Sequence, residues 1–141
     1  MLPRTSFLAR LIGLFLIVVS LAMLVQKQGL APAISALVQD RAALLVVAMI
    51  GLAAGLAMIL VHNVWSGGVL PVVVTLIGWF LMLRNALVLF LAPEALRALF
   101  DAFHVERFYY LYAIIDLLIG ILLTFAGFRV GYGQKKERNR V

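Results

Sequence analysis

Apolar residues dominate this chain in four long runs, with polar residues gathered between them and at the ends. The runs are about 7–26, 42–61, 70–92 and 108–128. A membrane-crossing helix needs about 20 mainly apolar residues, and each run is long enough. The apolar residues are continuous rather than alternating, which excludes the pattern of a membrane β-barrel. The reading is therefore all-α: a four-helix transmembrane bundle.

The segments after the first and third runs have a different pattern. In 93–103, Ala95, Leu96, Leu99, Phe100 and Phe103 recur at helical spacing. This predicts an amphipathic helix lying in the interface, with Pro93 in its first turn. A weaker copy, Ile34, Leu37 and Val38, predicts a second such helix over about 32–40, with Pro32 in its first turn. Leu30-Ala31-Pro32 recurs as Leu91-Ala92-Pro93, and Asp40 recurs as Asp101, at the same offset. The pattern fits two tandem span–interfacial helix–span repeats, related by an axis along the membrane normal. Few residues match, and chance similarity between apolar segments accounts for them equally well.

Composition supports the membrane reading. The chain has 141 residues, of which 65% are hydrophobic and 13% charged, and its mean hydropathy is +1.12. A soluble domain has about 25% charged residues and could not bury this much apolar surface. With no cysteine, disulfides and thiolate metal sites are excluded. The length allows one domain over 1–141.

Charge orients the bundle. The whole net charge of +6 falls at the two ends, on Arg4 and Arg10 and on a basic tail over 129–141. The first and third loops balance to zero, and the short second loop has no Lys or Arg. Under the positive-inside rule both termini are cytoplasmic. The tail is then a topology signal that touches anionic lipid, and nucleic acid is not an expected partner. The first run, followed by Ser20-Leu21-Ala22, resembles a signal peptide. The charge balance holds only if it is retained as an anchor.

The candidate chemistry lies inside the spans. Arg84 stands eight residues before the end of the third run, roughly 12 Å deep at the helical rise. Asp116 stands about eight residues into the fourth. Their depths match, and the expectation is an intramembrane Arg84–Asp116 pair, the cheap way to hold two ions in lipid. Snorkelling of Arg84 and a functional charge are the alternatives. Tyr109, Ala113, Asp116, Gly120, Thr124 and Gly127 share one stripe of the fourth run, small and polar, which would face other helices. Gly51 and Gly55 form a GxxxG spacing suited to packing within the chain more than to dimerisation. Asn85 could bond to another span, and Thr75 is expected to bond its own helix backbone.

The loop after the second run reads His62-Asn63-Val64-Trp65-Ser66-Gly67-Gly68. Gly67-Gly68 supplies the turn, and Trp65 lies at interface depth. His62 and Asn63 tie down backbone ends or bind a ligand, the structural role being favoured. The pattern His62-Asn63-x-Trp65, Val74-Thr75-Leu76-Ile77-Gly78-Trp79, basic Arg84 and Leu91-Ala92-Pro93 resembles a family of small uncharacterised bacterial four-span membrane proteins. In that family the basic position is often Lys followed by Gly, where this chain has Arg84 and Asn85. The resemblance implies the bacterial cytoplasmic (inner) membrane and supplies no activity or cofactor.

No nucleophile–base set or metal pair converges in this pattern, so an enzyme is not expected and no cofactor is implied. The leading expectation is a structural or accessory membrane protein, packing against itself or a larger membrane complex. The alternative is a small proton, ion or solute channel or transporter that uses the Arg84–Asp116 pair.

Overall fold

The structure is a computed structural model describing residues 3–102 and 107–138, with side chains described for all of these but 3, 101 and 130–138. It contains six helices among the described residues: α1 (Pro3–Val25), α2 (Lys27–Gln39), α3 (Arg41–Val61), α4 (Val69–Phe90), α5 (Pro93–Ala102) and α6 (Tyr109–Arg138). Four of them, α1, α3, α4 and α6, are long and apolar enough to cross a membrane. The protein is a multi-pass helical bundle.

Local chemistry sets the helix boundaries. Asp40 caps α3, its carboxylate accepting the backbone N–H groups of Ala42 and Ala43 at 3.0 and 3.2 Å, which satisfies two of the orphan donors of a helix start. Pro71 lies in the first turn of α4 and Pro93 opens α5, positions where a missing N–H costs no helical bond. Between α3 and α4 the chain turns through Gly67 and Gly68, at φ of 91° and 120°, a region that other residues rarely enter.

One boundary differs from the sequence pattern. The helix expected from about residue 32 begins at Lys27, so Pro32 lies inside α2. The backbone breaks only at Gln26, whose carbonyl accepts the N–H groups of Gly29 and Leu30 and restarts the helix at once. Pro32 then removes one interior hydrogen bond. In α5, Leu96 is buried against Leu44, Ala48 and Val88, with Phe100 alongside. Leu99 is exposed, and Phe103 lies outside the described residues.

The four spans associate as two antiparallel pairs, α1 with α6 and α3 with α4. Loop length explains the second pair, because a connection of a few residues forces neighbours to be antiparallel. The two pairs meet mainly where Leu8 and Ala9 of α1 pack on Val74 of α4, with Ile12, Met58 and Leu70 around them. That contact lies towards the basal end of the bundle, which holds the start of α1 and the end of α6. The third and fourth spans, expected to be clasped together, touch little.

The two pairs share a register. Across α1–α6, a Cβ on Gly120 would lie 3.0 Å from Ile17. Moving 61 residues forward from Ile17 gives Gly78, and 61 back from Gly120 gives Ile59. A Cβ on Gly78 would lie 3.5 Å from Ile59. The small and large partners exchange sides, yet the contact is the same one. The two pairs thus keep the same antiparallel register.

Candidate functional site

Polar side chains fasten each helix pair at both ends. At the basal end of α1–α6, Ser6 Oγ and Arg10 Nε both donate to the Gly127 carbonyl, at 2.6 and 3.0 Å. The Arg10 guanidinium also lies 4.3 Å from the centroid of the Phe128 ring. At the distal end, Tyr109 Oη donates to the Met23 carbonyl at 3.0 Å, and Lys27 sits 4.4 Å from the centre of the Tyr110 ring. Each cation thereby satisfies part of its charge on an aromatic face.

The α3–α4 pair uses different residues in the same places. At the basal end, Thr75 Oγ1 donates to the Val64 carbonyl at 3.0 Å and accepts the Val64 N–H at 3.1 Å. At the distal end, Arg41 reaches the Val88 and Leu91 carbonyls with Nη1 and Nη2, at 3.3 and 3.4 Å. These carbonyls close α4, where a helix carries partial negative charge and lacks internal donors. Arg41 therefore acts as a cap supplied by another helix.

Between the fasteners the helices approach through glycine. A Cβ on Gly13 would lie 2.7 Å from the Gly120 carbonyl oxygen, so in α1–α6 backbone meets backbone. In α3–α4, Gly51 faces the Asn85 amide and Gly55 faces the Met82 backbone, each at 2.6 Å from a built Cβ. The GxxxG stretch is thus used inside the chain. Asn85 is buried and donates to the Leu81 carbonyl of its own helix at 2.7 Å. Thr75 does the reverse of what was expected: it leaves its own backbone and bonds the loop.

The stripe on α6 faces α1 as anticipated except at Asp116, which is only half-buried. Tyr109, Ala113, Gly120 and Gly127 are buried, and Thr124 packs against Gly13. Ser6, Arg10 and Arg41 were not singled out as packing residues. Their sequence signal is a donor side chain near a span end, where it can reach the last carbonyls of another helix.

The second loop is tied down. Trp65 Nε1 donates to Asn63 Oδ1 at 2.7 Å, and both residues are exposed. His62 ends α3, its N–H bonding to the Met58 carbonyl. Its ring is buried, and neither ring nitrogen has a partner among the described residues.

The charges inside the spans depart most from the sequence pattern. Arg84 is exposed on α4, and Asp116 is half-buried on α6. Neither makes a hydrogen bond, ion pair or ring contact with another described residue. The expected pair within the chain is absent because α4 and α6 belong to different helix pairs. Equal depth was satisfied, but adjacency was not.

A groove of about 650 Å³ opens between α1 and α3 near the basal end. It is lined by Phe7, Leu8, Leu11 and Ile12 of α1 and by Ala54, Ala57, Met58 and Val61 of α3. Arg4 is the one charged residue in its lining. Among the described residues no group of His, Asp or Glu side chains could hold a metal ion.

No family model, no curated protein and no solved structure matches this chain. The resemblance at the second loop and third span therefore rests on those residues alone.

Proposed function

We propose that this protein is a structural or accessory component of a bacterial inner membrane, with both termini cytoplasmic, and that it packs against itself or a larger membrane complex. The observation that carries this reading is the use of polar side chains within the spans. Ser6, Arg10, Ser20, Arg41, Thr75, Asn85 and Tyr109 all donate to backbone carbonyls. Ser6, Arg10, Arg41 and Tyr109 bond another helix, Thr75 bonds the loop, and Ser20 and Asn85 bond their own helices. Groups spent on the backbone leave little free to bind or convert a solute. Broad apolar faces remain, with Phe15, Val18, Ile50, Phe80, Leu122 and Phe125 each more than half exposed. These faces suit lipid and neighbouring spans. The groove between α1 and α3 suits an acyl chain, with Arg4 near anionic headgroups.

Purification in a mild detergent, with identification of co-purifying chains, tests this reading. Self-association or a reproducible membrane partner is the expected result. A monomer without partners that conducts ions in liposomes would overturn it. That second outcome corresponds to a channel or transporter, a reading favoured only by the two unpaired charges, Arg84 and Asp116.

A further inference from the structure

We infer that Arg84 and Asp116 pair between two copies of this chain, across a parallel homodimer interface with its twofold axis along the membrane normal. The inference rests on the self-packing form of the proposed function and names its contact.

Arg84 and Asp116 are charges with no partner among the described residues. Charges within spans are costly and are held in place by pairing or by water. Arg84 alone could extend along its stem towards the headgroups. Asp116 cannot, because its side chain is too short to leave its depth. An occupant of this surface that brings a cation satisfies Asp116 at that depth. A second copy brings that cation and also offers a carboxylate to Arg84.

Depth satisfies the symmetry. In a twofold dimer the same patch serves both partners, so Arg84 must meet Asp116 twice. With the axis along the membrane normal, this requires both residues at one level. Arg84 lies six residues before the end of α4, and Asp116 lies seven residues into α6, roughly 9–10 Å from the distal ends at the helical rise.

Phe80 and Leu87, one turn to either side of Arg84, are exposed. Asp116 lies at the border of a buried face, with Ile115 and Ile119 exposed on one side of it and Ala113 and Gly120 buried on the other. The GxxxG stretch cannot supply the interface instead, because Asn85 and Met82 already occupy it.

Charge reversal tests the pairing. Full-length Arg84→Asp and Asp116→Arg chains carrying different tags are expressed singly and together, then captured through each tag in mild detergent. Each single variant opposes like charges at both contacts, and its homodimer is expected to weaken about tenfold or more. The two variants together restore opposite charges at both contacts, so a heterodimer is expected at the wild-type level. Arg84→Lys keeps the charge and is expected to dimerise. If either single variant folds poorly alone, co-expression is expected to rescue it, and failure to rescue overturns the inference. A wild-type oligomer indifferent to all these changes also overturns it, while self-packing stands. A monomeric wild type overturns the inference, and if it also captures no other chain, the proposed function falls with it. A double variant on one chain that regains stability as a monomer would relocate the pair to within the chain.

Discussion

The two helix pairs solve one packing problem with different chemistry. Both are antiparallel, both keep the same register, and both are fastened near each end. In α1–α6 backbone meets backbone at Gly13 and Gly120, with the Thr124 side chain also against Gly13. In α3–α4 backbone is also approached, at Gly55 and Met82, but one turn away a side chain fills the space, the Asn85 amide against Gly51. The difference separates what the fold requires from what each half improvises. Register and end-fastening are common to both, whereas the identity of each fastener is not.

The largest effect expected from this difference concerns the glycines. Gly13→Ala sets a methyl against the Gly120 carbonyl and the Thr124 backbone N, each 2.7 Å from the built Cβ, and backbone cannot turn aside. A destabilisation of about 3 kcal/mol is expected, the upper end for overpacking. Gly51→Ala meets only the end of the Asn85 side chain, which can rotate. Alanine also favours the helix by about 1 kcal/mol, so the net change should be small. Thermal unfolding of both variants in detergent checks the ranking. Equal losses would show that Asn85 is as immovable as backbone.

The distal and basal fasteners give the next effect. Arg41→Ala removes both contacts to the end of α4 and leaves the Val88 and Leu91 carbonyls without that donor. A loss of about 2 kcal/mol is expected, the range for a charged hydrogen bond. Arg10→Ala should cost less, because Ser6 still satisfies the Gly127 carbonyl. The shared acceptor makes a sharper prediction. Ser6→Ala with Arg10→Ala should cost more than the two single losses combined, since only the double variant strips the carbonyl of both donors. Strict additivity in a double-mutant cycle would mean that the two bonds act independently.

Much of this architecture was legible in the sequence. Spans are read from hydropathy because lipid demands a continuous apolar length, and all four long helices fall where the runs are. The small stripe on α6 was legible for the same reason, since Tyr109, Ala113 and Gly120 repeat at helical spacing. Helix pairing was not legible from depth. Arg84 and Asp116 lie at one level, but level says nothing about which helices adjoin. Loop length held the missing information. His62–Gly68 is too short to let α3 and α4 separate, whereas α5 and the residues after it leave α6 free to join α1. Thr75 departs from the sequence expectation because an intrahelical bond is the default only for an isolated span. Only the fold of the loop brings the Val64 N–H and carbonyl within its reach.

The smallest effects come from single hydroxyl groups, and they sharpen the comparison between the pairs. Tyr109→Phe deletes one bond to the Met23 carbonyl and leaves the ring in place. About 0.6 kcal/mol is expected, the average for a hydrogen bond between membrane helices. Thr75→Val keeps the shape but deletes a donor and an acceptor together. It strands both the N–H and the carbonyl of Val64 at the loop, so about 1 kcal/mol or more is expected. The order should hold under thermal unfolding. Backbone amide exchange separates the two further: Thr75→Val should speed exchange at Val64 and its neighbours, while Tyr109→Phe should leave that loop unchanged. If Val64 exchanges at the same rate in both variants, Thr75 does not fasten the loop, and the α3–α4 pair is held at its basal end by packing alone.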